Sequence, residues 1–114
     1  MVRTYRQGCM LAYALDSIGE RWTLLIVRDL LLGPRGFAEL QASLKGIGGS
    51  LLSKRLKDLE DDGLITSENP GGARHLYRLT DLGERLRPAV RAMMRWSVRY
   101  TKETIDNQET RPKM

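Results

Sequence analysis

Residues 47 to 65, IGGSLLSKRLKDLEDDGLI, hold a helix start, an amphipathic helix, its stop and the opening of a strand within nineteen residues. Leu52, Leu56 and Leu59 recur at i, i+4 and i+7, which makes one apolar stripe that must be buried. Ser50, Ser53, Lys54 and Lys57 fall on the other side, a face of short hydroxyls and long cations, and Arg55 sits at the border of the stripe, placed either to reach a phosphate or to pack across the core edge. The acids Asp58, Glu60, Asp61 and Asp62 come last, the reverse of what a helix dipole favours at roughly 0.3–1 kcal/mol per charge. The Lys54–Asp58 and Lys57–Asp61 spacings are also the weaker orientation of an i, i+4 ion pair. A helix with this inverted order presents unpaired N–H groups, hydroxyls and lysines at one end, suited to phosphates and groove edges, and holds its acidic end away. It reads as a DNA recognition helix whose candidate contacts are Ser50, Ser53, Lys54, Arg55 and Lys57.

Outward from this segment the organisation is that of one small domain. Residues 1–8 read as a basic arm, residues 9–105 as the folded domain and residues 106–114 as a disordered tail. Leu11, Ala14, Leu15 and Ile18 make a first short helix that stops near Gly19. Trp22 to Leu32, apolar on almost every side, is the central helix of the core and ends at Gly33-Pro34. Phe37, Leu40 and Leu44 mark a third helix, and the glycine-rich Lys45 to Gly49 joins it to the recognition helix, giving a helix-turn-helix. Gly63 is placed to terminate that helix. Residues 65 to 79, turning at Asn69-Pro70-Gly71-Gly72, form a hairpin directly behind it, which is the position of a wing. Arg74 beside the turn is a further candidate DNA contact. Thr80-Asp81 starts a terminal helix with Leu86, Val90, Met94 and Val98 on one row and Ala89, Met93, Trp96 and Tyr100 on the next, a face too wide for a solvated helix. Pro88 kinks or restarts it. The fold class is mainly α with a small β-hairpin, a winged helix-turn-helix.

Composition narrows the function classes. The 114 residues carry 19 Lys plus Arg against 14 Asp plus Glu, a net charge of +5, and the pI is about 9.7, which suits a nucleic-acid partner or an anionic surface. The last helix lacks the concentrated lysine stripe of a membrane-surface helix, so burial against a partner subunit fits better. The longest apolar run is interrupted by Arg28 and Asp29 and is short of a membrane span. No signal-peptide pattern opens the chain, so a cytoplasmic location is expected. His75 is the only histidine and Cys9 the only cysteine. This excludes an intrachain disulfide, supports no His/Cys metal site or Cys-His nucleophile, and implies no cofactor and no enzyme.

Several stretches together resemble the HxlR-type winged-helix transcriptional regulators of bacteria and archaea: Cys9 opening the first helix, ALDSIGERWTLLIVRDLLLGPRGFAELQ from Ala14 to Gln41, LLSKRLKDLEDDGLI from Leu51 and YRLTDLGERL from Tyr77. The resemblance covers about residues 9 to 100. It implies a homodimer, expected to be a repressor, that binds a palindromic double-stranded operator through the fourth helix and the wing. The first and last helices then form the dimer interface, with Leu11, Leu15, Val90, Met93, Met94, Trp96 and Tyr100 as its candidate residues. Cys9 has two readings, a small buried hydrophobe or a sensor of oxidants and electrophiles, since some relatives sense through a cysteine at this place and a helix N-terminus with Arg3 and Arg6 upstream is a setting in which thiolates react. Met93, Met94, Trp96 and Tyr100 read as core and dimer packing, the alternative being a small-molecule effector pocket at the interface. Three departures stand out. Gly48-Gly49 replaces the family's Ser-Pro, a better cap, so that Ser50 becomes a candidate N-cap. Met10 follows the cysteine in place of proline, and Leu76 replaces an acidic residue.

Overall fold

The structure, a computed structural model, describes residues 9–69 and 75–109, with side chains to residue 102 of the last helix. The order is α1 (Met10–Ile18), α2 (Arg21–Leu30), β1 (Arg35–Gly36), α3 (Phe37–Ser43), α4 (Gly49–Asp61), β2 (Ile65–Glu68), β3 (Leu76–Leu79), α5 (Asp81–Glu84) and α6 (Arg87–Glu109). The core forms where α2, α3 and α4 converge on the sheet: Ile26, Val27 and Leu30 from α2, Leu40 from α3, Leu52, Leu56 and Leu59 from α4, and Leu64 and Ile65 leading into β2. Each fully buried leucine contributes about 1.5–3 kcal/mol of burial free energy, so the α4 stripe alone fixes which face of that helix is left to solvent.

Local chemistry sets each boundary. Glu20 caps α2 through its carboxylate, which accepts from the N–H groups of Trp22 (2.8 Å) and Thr23 (3.2 Å). At the start of α3 the Glu39 carboxylate accepts from the Gly36 N–H at 3.0 Å. Gly63 has φ +77°, a left-handed conformation that lets α4 stop and the chain turn into β2. Thr80 then locks this corner: its hydroxyl donates to the Gly63 carbonyl (2.6 Å) and accepts from the Gly83 N–H (3.1 Å), while its own N–H bonds the Leu64 carbonyl (3.0 Å). Gly83 lies so close to the Leu64 carbonyl oxygen that a Cβ there would collide with it.

The sheet has three antiparallel strands in the order β1-β3-β2, with Arg35 opposite Tyr77 on one side of β3 and Ser67 opposite Tyr77 on the other. The hairpin is as expected from the sequence. The strand β1 was not legible there, since two residues flanked by Pro34 and a helix carry no alternation. The terminal helix is in two pieces, with Pro88 in the first turn of α6, where its missing N–H costs nothing; it restarts the helix and does not kink it. Arg87 ties this junction to α2, donating to the Leu31 carbonyl (3.1 Å) and to Glu84 (2.9 Å). Because α6 runs to Glu109, residues 106–109 are helical and not the tail expected from composition.

Candidate nucleic-acid interface

The N-terminal end of α4 is open. Gly48, at φ −78° and ψ 157°, is the N-cap and provides no side-chain bond. Ser50 is therefore not the cap; it lies inside the first turn, exposed. The first i→i−4 bond runs from the Leu52 N–H to the Gly48 carbonyl (3.0 Å), so the N–H groups of Gly49, Ser50 and Leu51 precede the helical ladder and point out of the helix start. Gly49 rests near Gln41 and Phe37 of α3, which sets the close crossing of a helix-turn-helix.

Ser53, Lys54 and Lys57 are exposed on the same helix. Lys54 lies 3.8 Å from Asp58 and Lys57 3.6 Å from Asp61, the i, i+4 pairs read from the spacing. Their side chains remain 61% and 76% exposed, and such surface pairs contribute only about 0–1 kcal/mol. Both lysines can therefore exchange these partners for phosphates at small cost.

Arg55 behaves differently, and the reading of it as a DNA contact is corrected. Its side chain is only 18% exposed, with Nε 3.0 Å from Glu20 Oε2 and Nη1 3.1 Å from Asp58 Oδ2. The Nε–Glu20 approach is an ion pair by distance but is not aligned as a hydrogen bond. Arg55 thus braces α4 against the N-cap of α2, the second of its two readings. The sequence gave no warning of this pair, because no local periodicity links Glu20 to Arg55.

Behind α4 the wing is tied to the same helix. The Ser67 hydroxyl donates to Glu60 Oε2 at 3.1 Å, and Arg78 reaches Glu68 across the hairpin at 3.4 Å. Burial, and then the neighbouring Glu60 carboxylate, raise the Tyr77 phenol above its ordinary range, which keeps it neutral at the base of the wing. His75 is exposed, its ring centroid 5.1 Å from that of Tyr77. Arg74, the expected wing contact, lies outside the described residues.

On the opposite side, α1 and α6 expose apolar residues. Leu11, Leu15, Met93, Met94, Trp96 and Tyr100 are all exposed, as are Met10, Tyr13 and Val98, and Trp96 stacks on Tyr100 with centroids 5.0 Å apart. Val90, expected in the dimer interface, is instead buried in the protomer's own core, because it lies one turn into α6 where that helix still rests on α2. Cys9 is an exposed free thiol at the N-cap of α1, so the reading of it as a small buried hydrophobe does not hold within the protomer. Among the described residues no group of three or more His, Cys, Asp or Glu is placed to hold a metal ion, and no helix is long and apolar enough to cross a membrane.

Comparison with known proteins agrees with this geometry. The family model described as HxlR-like helix-turn-helix matches residues 17–105. An HTH-type transcriptional regulator of Mycobacterium tuberculosis, Rv3095, is 41% identical over 98 residues, covering 82% of this chain and 60% of its own length. The chain thus spans only about three-fifths of that mycobacterial relative. YvaP of Bacillus subtilis, also an HTH-type transcriptional regulator, is 37% identical over 91 residues, covering 76% of this chain and 82% of YvaP. Among solved structures, the redox regulator HypR in its oxidised form superposes with a TM-score of 0.73 at 29% identity, covering 77% of this chain and 93% of HypR. With a helix-turn-helix, a wing and a family match over most of its length, the chain belongs to the HxlR-like helix-turn-helix family of transcriptional regulators.

Proposed function

We propose that this protein is a homodimeric, sequence-specific DNA-binding repressor, not an enzyme, that works in the cytoplasm on a pseudo-palindromic operator. The observation that carries this reading is the open start of α4, where three N–H groups outside the helical ladder, Ser50, Ser53, Lys54 and Lys57 share one exposed surface. Such a surface suits phosphates and groove edges, the serines and lysines positioning the helix on the backbone. Two copies of α4 enter successive major grooves about 34–36 Å apart, with Arg74 as the wing's contact. The exposed apolar residues of α1 and α6 support the second copy, since a patch of this size is unusual on a monomer. Gel shifts with the promoter upstream of the protein's own gene test DNA binding. A wild-type protein that fails to bind at low salt would favour a protein-interaction winged helix in its place.

The exposed thiol of Cys9 supports a second element, regulation by an oxidant or electrophile. With one cysteine per chain, oxidation links Cys9 to a partner subunit's cysteine or to a small thiol. Diamide treatment followed by non-reducing electrophoresis and operator binding checks it: a mobility shift that changes affinity is expected, and unchanged mobility and affinity would count against it.

A further inference from the structure

The chain is basic as a whole, yet one groove on it is acidic. It lies between the C-terminal turn of α1, the start of α2 and the outer side of α4, encloses about 390 Å³, and is lined by five carboxylates against two cations. Leu15 and Leu59 supply apolar wall, and Glu20, Asp58 and Asp62 are among the acids. Two helices also end here: the lining includes the last turns of α1 and α4, and neither helix has a basic residue in its last turn. Each such end carries roughly half a negative charge and favours a cation. Arg55 only partly offsets this, since it is held at one wall between Glu20 and Asp58 and its Nε is not aligned as a hydrogen-bond donor.

From this juxtaposition we propose that the groove is a binding site for a small organic monocation, a flat apolar body carrying one amidinium or ammonium group. The volume falls within the usual range of small-molecule sites, roughly 300–1,000 Å³. The apolar body packs between Leu15 and Leu59, and the cationic head meets Asp58 and Asp62 near the C-terminal end of α4. A planar amidinium forms paired, charge-assisted hydrogen bonds with a carboxylate, about twice as strong as neutral ones. A neutral isostere loses that advantage, and an anion meets repulsion.

Benzamidine is the probe, titrated into the full chain without DNA while methyl and backbone resonances are followed, with benzamide as neutral control at matched ionic strength. The site predicts saturable shifts centred on Leu15, Thr23 and Leu59, and affinity for benzamidine about fivefold or more above that for benzamide. The double variant Asp58→Asn/Asp62→Asn should weaken benzamidine by about fivefold and leave benzamide unchanged. Asp62→Asn alone, at an exposed helix end, should weaken it in the same direction if the double variant fails to fold. Equal affinities for the two probes, shifts centred elsewhere, or unaltered binding in a folded variant would overturn the proposal. Because no DNA is present, that outcome is separate from any failure of DNA recognition.

Discussion

Two amphipathic helices of this protein meet opposite fates. In α4 the leucines at 52, 56 and 59 are all buried by the chain itself. In α6 only Val90 is buried, while Met93, Met94, Trp96, Val98 and Tyr100 remain exposed. Both helices carry enough apolar residues to demand burial; the difference is that α4 lies across α2 and the sheet, whereas α6 leaves the core after its first turn. The helix whose apolar face is satisfied internally is free to offer its other face to DNA. The helix left unsatisfied calls for a second copy of the chain. Recognition and assembly are thereby divided between elements joined through α2, which touches both.

Breaking either side of this contrast should give distinct results. Truncating Leu56 to Ala opens a cavity beneath α4 and should cost about 2–5 kcal/mol in chemical denaturation. Gly83→Ala forces a Cβ against the Leu64 carbonyl and should destabilise the wing-to-α5 corner by about 1–3 kcal/mol, seen as a lowered melting temperature. Changing Met93 and Trp96 together to Glu should leave the protomer folded, since neither is in its core, yet convert a dimer to a monomer in sedimentation equilibrium; a variant that sediments as wild type would remove α6 from the interface. At the small end, Gly48→Ser supplies the missing cap of α4 and should stabilise by a few tenths of a kcal/mol.

The same contrast explains what was legible in the sequence. Leu52, Leu56 and Leu59 could be read because burial follows the period of the helix, and Gly63 because only a left-handed residue suits that stop. The hairpin was legible for its turn cluster, and the exposed lysines because they oppose the stripe. Arg55 was not resolved, since its fate depends on Glu20, thirty-five residues away, and nothing local encodes which helix lies across it. Val90 could not be told from Met94 by periodicity, because both share one row of α6 and only the angle at which that helix leaves α2 separates them. The end of α6 was misjudged because polar composition at residues 106–109 resembles a tail even where the helix continues.

The central claim is that the N-terminal half of α4 carries the contact with DNA, and its most direct test is the salt dependence of operator affinity for the wild type and Lys54→Ala/Lys57→Ala. If each lysine neutralises a phosphate, the double variant binds all sequences more weakly, and its slope of log affinity against log salt is shallower by about 1.8, at roughly 0.9 per contact. An unchanged affinity and slope in the folded double variant would contradict the account.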